Sequence, residues 1–199
     1  MHIPDKWKMN SHEEIHEFIK NHGFAVVITS DLEASHLPLV FRPREGELGT
    51  LYGHFARTNP HWEKIDDTKV LVIFSGPHSY ISPTWYETEL AVPTWNYSAV
   101  HITGTLQLTD HDSTIKALDE TVKKYEANLN IPEKFKSKLS KGIVGFKIKI
   151  SSIQGKEKLG QHRSKADQQG VTSALSHSQN LESQQLYQYM MNKNKGTGS

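Results

Sequence analysis

The alternation of apolar and polar positions divides the chain into a run of short strands with a few helices set between them. Residues 10–23, NSHEEIHEFIKNHG, read as a helix. Ser11 and Glu14 have capping-box spacing, Ile15, Phe18 and Ile19 form one apolar stripe, and Gly23 stands where a helix ends. FAVVIT over Phe24–Thr29 is β-branched and nearly continuous, which predicts a buried strand. Further strands are predicted over 35–41 (SHLPLVF), 50–56 (TLYGHFA), 70–76 (VLVIFSG), 99–109 (AVHITGTLQLT) and 143–153 (IVGFKIKISSI), with a turn at 44–49. In the last of these strands Val144, Phe146, Ile148 and Ile150 point one way, and Lys147 and Lys149 the other. Helices are predicted over 112–129 and 132–139, and a short one opens near Asn59–Pro60, with Pro60 in its first turn.

About six strands joined by hairpin-length loops imply an antiparallel sheet, because a doubly wound sheet needs a helix after nearly every strand. The pattern is that of a β-rich α+β chain, a closed or split barrel of Greek-key type with peripheral helices. Residues 1–160 are read as that domain. From 161 to 199 the composition turns to Gln, Ser, Asn and Lys, which predicts a polar helical extension, partly disordered at its end. A stripe of Leu181, Leu186, Tyr189 and Met190 within 181–191 is expected to pack on something.

Charge and composition then remove several classes of function. The 199 residues carry a net charge of +1, too balanced for a strongly phosphate-driven nucleic-acid binder. There is no cysteine, so neither a disulfide framework nor a thiolate metal site can form. The N-terminal residues lack the apolar core of a signal peptide, and no window is long enough to span a membrane, so a cytoplasmic protein is expected. No Gly-rich nucleotide loop, HExxH or GxSxG motif is present. His36, His54, His78 and His101 fall in or beside predicted strands. They lack paired spacing and nearby carboxylates, and no metal site is assigned.

Two stretches carry chemistry. In HFARTNPHW (54–62) a strand ends, Arg57, Thr58 and Asn59 supply donors, and a helix start adds N–H groups, which together suit a phosphate. The other, GPHSYISPTWYETELAVPTWN over 76–96, holds two tryptophan motifs, each with a proline two residues before the ring. Rings interleaved with hydroxyl, amide and indole donors match a planar ligand with polar edges: an isoalloxazine, a haem or a nucleobase.

On these residues the sequence resembles the PaiB-type proteins, FMN-binding negative transcriptional regulators with the split β-barrel of pyridoxamine phosphate oxidases and flavin reductases. The matching motifs are SHLPL (35–39), YGHFARTNPHW (52–62), GPHSYISPTWY (76–86), VPTWNYSAVHITG (92–104), GIVGFKIKI (142–150) and KLGQHRSKADQQGV (158–171). In the last of these, Gly160 and His162 depart from the family's usual KLSQNR.

The resemblance implies a homodimer with FMN at the subunit interface. His36 and Gly53, His54, Phe55 and Ala56 would line the isoalloxazine, Arg57, Thr58 and Asn59 would sit near the phosphate, and Leu37 and Trp62 would be further cofactor-binding residues. Trp85, Trp95, Asn96 and His101 would shape another wall, and Lys158, Gln161 and Arg163 would add contacts from the C-terminal motif. It also implies repression of sporulation and degradative-enzyme genes. DNA or a regulatory protein is the partner this implies; the residues show no helix-turn-helix pattern, which favours indirect regulation through a partner protein or redox chemistry. A flavin-dependent oxidoreductase, with His78 or His101 as acid or base, and a haem-binding barrel are the alternatives.

Overall fold

The computed structural model describes every residue from Met1 to Ser199. Seven strands form one sheet: β1 (Phe24–Thr29), β2 (Ala34–Pro38), β3 (Val40–Arg42), β4 (Thr50–Ala56), β5 (Thr68–Ile81), β6 (Thr94–Leu108) and β7 (Ile143–Lys158). Their order is β2-β1-β5-β6-β7-β4-β3. β1 pairs antiparallel with β2 and β5, and β4 pairs antiparallel with β3 and β7. Five helices accompany them: α1 (His12–Asn21), α2 (His111–Tyr125), α3 (Glu133–Ser140), α4 (Lys165–Ser176) and α5 (Leu181–Lys193). The chain divides into two compact units. A sheet unit comprises residues 12–74 and 100–154, and a terminal unit comprises 1–11, 75–99 and 155–199. β5, β6 and β7 contribute residues to both.

The alternation predicted for β7 holds in the sheet unit, whereas β1, predicted as a nearly continuous buried run, alternates, with Phe24 exposed and Val26 and Ile28 only half-buried. Ala25 and Val27 of β1, Leu51 and Phe55 of β4, and Val144, Phe146 and Ile148 of β7 are buried. Phe18 and Ile19 supply the buried stripe of α1. Two glycines in this unit are there for space. A Cβ on Gly53 would lie 2.5 Å from Leu39 Cδ2, and one on Gly104 would lie 2.4 Å from the Lys149 carbonyl oxygen. The strand predicted over 35–41 is two strands, which accounts for the seventh. Pro38 lacks an amide hydrogen, and the next amide, at the buried Leu39, donates to the Gly23 carbonyl. That bond still lies on the β1 side, at the residue just before Phe24, and from Val40 the chain pairs with β4 instead.

Three further boundaries differ from those predicted. β5 continues to Ile81, through a Gly76–Pro77 pair that reads locally as a breaker, because the neighbouring β6 carries the pairing onward. β6 begins at Thr94, so Trp95 and Tyr97 lie on a strand, and Trp85 closes a short 3-10 turn over Pro83–Trp85. β7 runs on to Lys158. The helix expected near Pro60 is a 3-10 turn over Pro60–Lys64.

The terminal unit has its own core. Ile81, Leu159, Val171, Leu175, Leu186 and Met190 are buried together, with Trp85, Tyr86, Tyr187 and Tyr189 packed against them. α4 has no apolar stripe long enough to announce it. Its signal is Ser164, which caps the amide of Asp167. In α5, Leu186 and Met190 face the core as predicted, whereas Leu181 is exposed at the first helical position. At the end of the chain Thr197 is buried, and the Gly198 amide donates to Gln168 Oε1.

Candidate functional site

The predicted site residues fall into two groups, one in each unit. His36, Leu37, Gly53, His54, Phe55, Ala56, Arg57, Thr58, Asn59, Trp62 and His101 belong to the sheet unit; His78, Trp85, Trp95, Asn96, Lys158, Gln161 and Arg163 belong to the terminal unit.

In the sheet unit, Leu37, Gly53 and Phe55 are buried in the core, so packing decides their identity. His36 is exposed on β2, its ring centroid 6.1 Å from that of the exposed Phe24. Burial holds the imidazoles of both His54 and His101 below the ordinary histidine range. The polar side chains of the turn after β4 make hydrogen bonds within the protein. Arg57 Nε and Nη2 donate to the carbonyl oxygens of Lys141 and Ile143, each at 2.7 Å, and the Trp62 indole donates to the Arg57 carbonyl. Asn59 Oδ1 accepts from the His61 amide, and Asn59 Nδ2 donates to Ser35 Oγ. Of the donors that suited a phosphate in the sequence, Arg57 and Asn59 are thus engaged with protein acceptors, while Arg57 and Thr58 remain exposed.

The turn also buries His61, which sequence reasoning passed over between Pro60 and Trp62. Its Nε2 lies 3.0 Å from Thr29 Oγ1 and its Nδ1 2.8 Å from Ser35 Oγ. Thr29 Oγ1 donates to Asp31 Oδ1. A continuous chain forms when His61 Nε2–H donates to Thr29 and Nδ1 accepts from Ser35. Both ring nitrogens are thereby used. Thr29, Asp31 and His61 line a cavity of about 310 Å³, with Glu33, Glu63 and Lys64 at its sides.

The terminal unit holds the more ligand-like arrangement. Trp95 is 46% exposed on β6, unusual for so large an apolar ring. The His78 ring lies 6.0 Å from it at 34°, and the Tyr80 ring meets it edge-on at 6.3 Å. Alternation puts His78 and Tyr80 on one face of β5, which explains why a histidine and a tyrosine two apart share this surface. His78 Nδ1 is buried with no hydrogen-bond partner and lies 4.0 Å from a carboxylate oxygen of Glu182.

Behind Trp95 stands Lys158, whose ammonium donates to the Trp95 carbonyl at 2.8 Å and to the Thr94 hydroxyl. Arg163 lies over the Tyr86 ring, 4.6 Å from its centroid, and its Nε is buried without an acceptor. Gln161 is structural: Nε2 donates to the Lys6 and Glu157 carbonyls, and Oε1 accepts from the Leu159 amide. Asn96 is buried, and with Tyr86, Gly160, Arg163 and Asp167 it lines a small cleft. Trp85 packs on the unit's core, and Gly170 has no side chain because a Cβ there would lie 2.0 Å from the Trp85 carbonyl oxygen. The two tryptophan motifs thus do different work: Trp85 is packing, and Trp95 is surface.

Comparison with known proteins gives this surface a context. A family model described as "Putative FMN-binding domain" matches residues 1–152. The protease synthase and sporulation protein PAI 2 of Bacillus subtilis is 38% identical over 206 residues, covering 98% of this chain and 99% of that protein. The flavocytochrome Anf3 of Azotobacter vinelandii aligns over 80% of this chain and 73% of its own, with a TM-score of 0.58 at 13% identity. The FAD and haem binding protein of Mycobacterium smegmatis aligns over 77% and 74%, with a TM-score of 0.56 at 14% identity. At those identities the two structures share a fold with this chain, which does not fix a ligand. No helix is long and apolar enough to cross a membrane.

Proposed function

Because this chain belongs to the FMN-binding domain family that spans its residues 1–152, we propose that it binds FMN as a homodimer and acts as a negative transcriptional regulator of the PaiB type. The observation that carries the flavin reading is the Trp95 surface, an exposed indole flanked by His78 and Tyr80. The regulatory reading is supported by end-to-end similarity to the B. subtilis protein.

The residues present fit the cofactor. Trp95 offers a flat apolar face, Tyr80 and His78 bring polar groups to its margin, and Lys158 holds the Trp95 backbone from behind. The orphaned Nδ1 of His78 is a buried polar atom in want of a partner. An isoalloxazine with polar ring edges would be held on these side chains, and the flavin would supply hydride or electron chemistry when bound. Trp95 gives stacking area, while Lys158 keeps its strand segment from shifting under the ring.

Two measurements test the proposal. FMN titrated into the purified protein should bind, and Trp95→Ala should weaken that binding about tenfold, a typical loss for a stacked ring. The ligand-free variant should melt within a few degrees of the wild type. Unaltered FMN affinity with a collapsed melting temperature would make Trp95 a packing residue and remove the basis of the site. For regulation, deleting the gene should raise protease secretion and sporulation; no change in either would end that reading.

A further inference from the structure

Three ammonium groups surround one indole in the terminal unit. Lys6 Nζ lies 4.8 Å from the Trp7 ring centroid, Lys156 Nζ 5.3 Å and Lys158 Nζ 5.5 Å. The His162 ring meets the same indole edge-on, with centroids 5.7 Å apart. These cations cannot be farther from one another than the sums of those distances, so they repel.

Strand geometry explains the imbalance. Alternation along β7 puts Lys156 and Lys158 on one face and Glu157 on the other. Glu157 is taken on its own side by Lys195 at 2.7 Å and by the Tyr189 hydroxyl. Across the strand the lysines meet only neutral acceptors: the His2 carbonyl for Lys156, and the Thr94 hydroxyl and Trp95 carbonyl for Lys158. Lys156 is 6% exposed, and a buried ammonium without a counter-charge is costly. The nearby buried carboxylate of Asp167 is engaged by the Thr88 amide and hydroxyl.

Unused donors accompany the unused charge. Trp7 Nε1 and Arg163 Nε are both buried without an acceptor. Burial and the neighbouring cations hold Lys158 and His162 below their ordinary pKa ranges, as expected where positive charge is crowded and unrelieved. A ligand that completes this cluster must accept hydrogen bonds, donate few or none, and carry more than one negative charge. A phosphate monoester does so.

We propose that Trp7, Lys156, Lys158, His162 and Arg163 form a binding site for a phosphate monoester. The site stands on these contacts and does not require the flavin reading. It can hold the phosphate of FMN or that of a separate phosphorylated ligand.

Calorimetric titration of the full chain with phenyl phosphate, inorganic phosphate, FMN and riboflavin tests the proposal, with Lys158→Gln and His162→Asn as variants whose folding is checked by circular dichroism. Phenyl phosphate should bind the wild type and lose at least tenfold in affinity in Lys158→Gln. Competition with FMN, together with FMN binding at least tenfold tighter than riboflavin, would make the cofactor's phosphate the occupant. Binding without competition would make it a second ligand. Both outcomes support the site. Absence of phenyl phosphate binding in the wild type, or unchanged affinity in folded Lys158→Gln, overturns it whatever FMN does. Phenyl phosphate binding without any flavin binding would leave this site standing and refute the flavin reading instead.

Discussion

Replacing Lys195 with Met should destabilise the protein by about 2–3 kcal/mol, and the reason lies in Glu157. The Glu157 side chain is 3% exposed; Lys195 Nζ sits 2.7 Å from Oε2, and the Tyr189 hydroxyl donates to Oε1. Breaking a buried ion pair from one side typically costs about 3–5 kcal/mol, because the surviving charge stays in the interior. Lys195 keeps 28% of its side chain in solvent, so water replaces part of what the ammonium supplied and lowers the figure. In a chain of this size the loss corresponds to a fall in melting temperature of roughly 4–12 °C. Glu157→Gln removes the charge from the other side, and the double variant should recover about 1–2 kcal/mol relative to additive losses. Urea unfolding of the four proteins measures this coupling directly. If Lys195→Met lies within about 0.5 kcal/mol of the wild type, or the coupling is zero, then the contact made just beyond α5 does not hold the tail on its own unit, and the reasoning fails.

Two further outcomes follow from the sheet unit and from the histidines. Gly104→Ala should cost about 1–3 kcal/mol in urea unfolding, since its Cβ meets β7 backbone at 2.4 Å. Gly142→Ala, whose Cβ would come 3.3 Å from the Leu139 carbonyl oxygen, should cost less than Gly104→Ala. Burial lowers the pKa of His16, His54, His101 and His162 in the folded chain. The unfolded chain takes up their protons first, so stability should fall as pH drops below about 6.5 and level off once the folded-state values are passed. Melting temperatures from pH 7.5 down to 5 should show this decline, and His54→Gln should flatten it; a constant or rising melting temperature over that range would contradict the sign.

Much of the barrel could be read without coordinates, because its signal is local. The alternation of β7 from Phe146 to Lys149 is written residue by residue, and β4 begins and ends where TLYGHFA does, although it buries Thr50 to Gly53 in succession. The tryptophan motifs were visible as a unit, but their division into a packing residue and a surface residue was not. Trp85 and Trp95 both follow a proline by two positions. One meets the close approach of Gly170 at its carbonyl, and the other stands half exposed beside the rings of His78 and Tyr80. Arg57 and Asn59 show what local reading leaves out. Their donor character is local, but the acceptors Arg57 takes in the fold, at Lys141 and Ile143, lie more than eighty positions away. Trp7 and Lys156 were missed for the same reason: nothing in MHIPDKWKM announces that a distant strand will set two lysines against its indole.

The amino-acid order by itself determined the antiparallel β-rich class, the principal helices and the family resemblance, since periodicity, caps and motifs act over a few residues. Tertiary structure alone decided which charges are matched. In sequence the Glu157 carboxylate stands next to both Lys156 and Lys158, yet the pleat sends it to Lys195 and leaves the two lysines on the other face against the Trp7 indole.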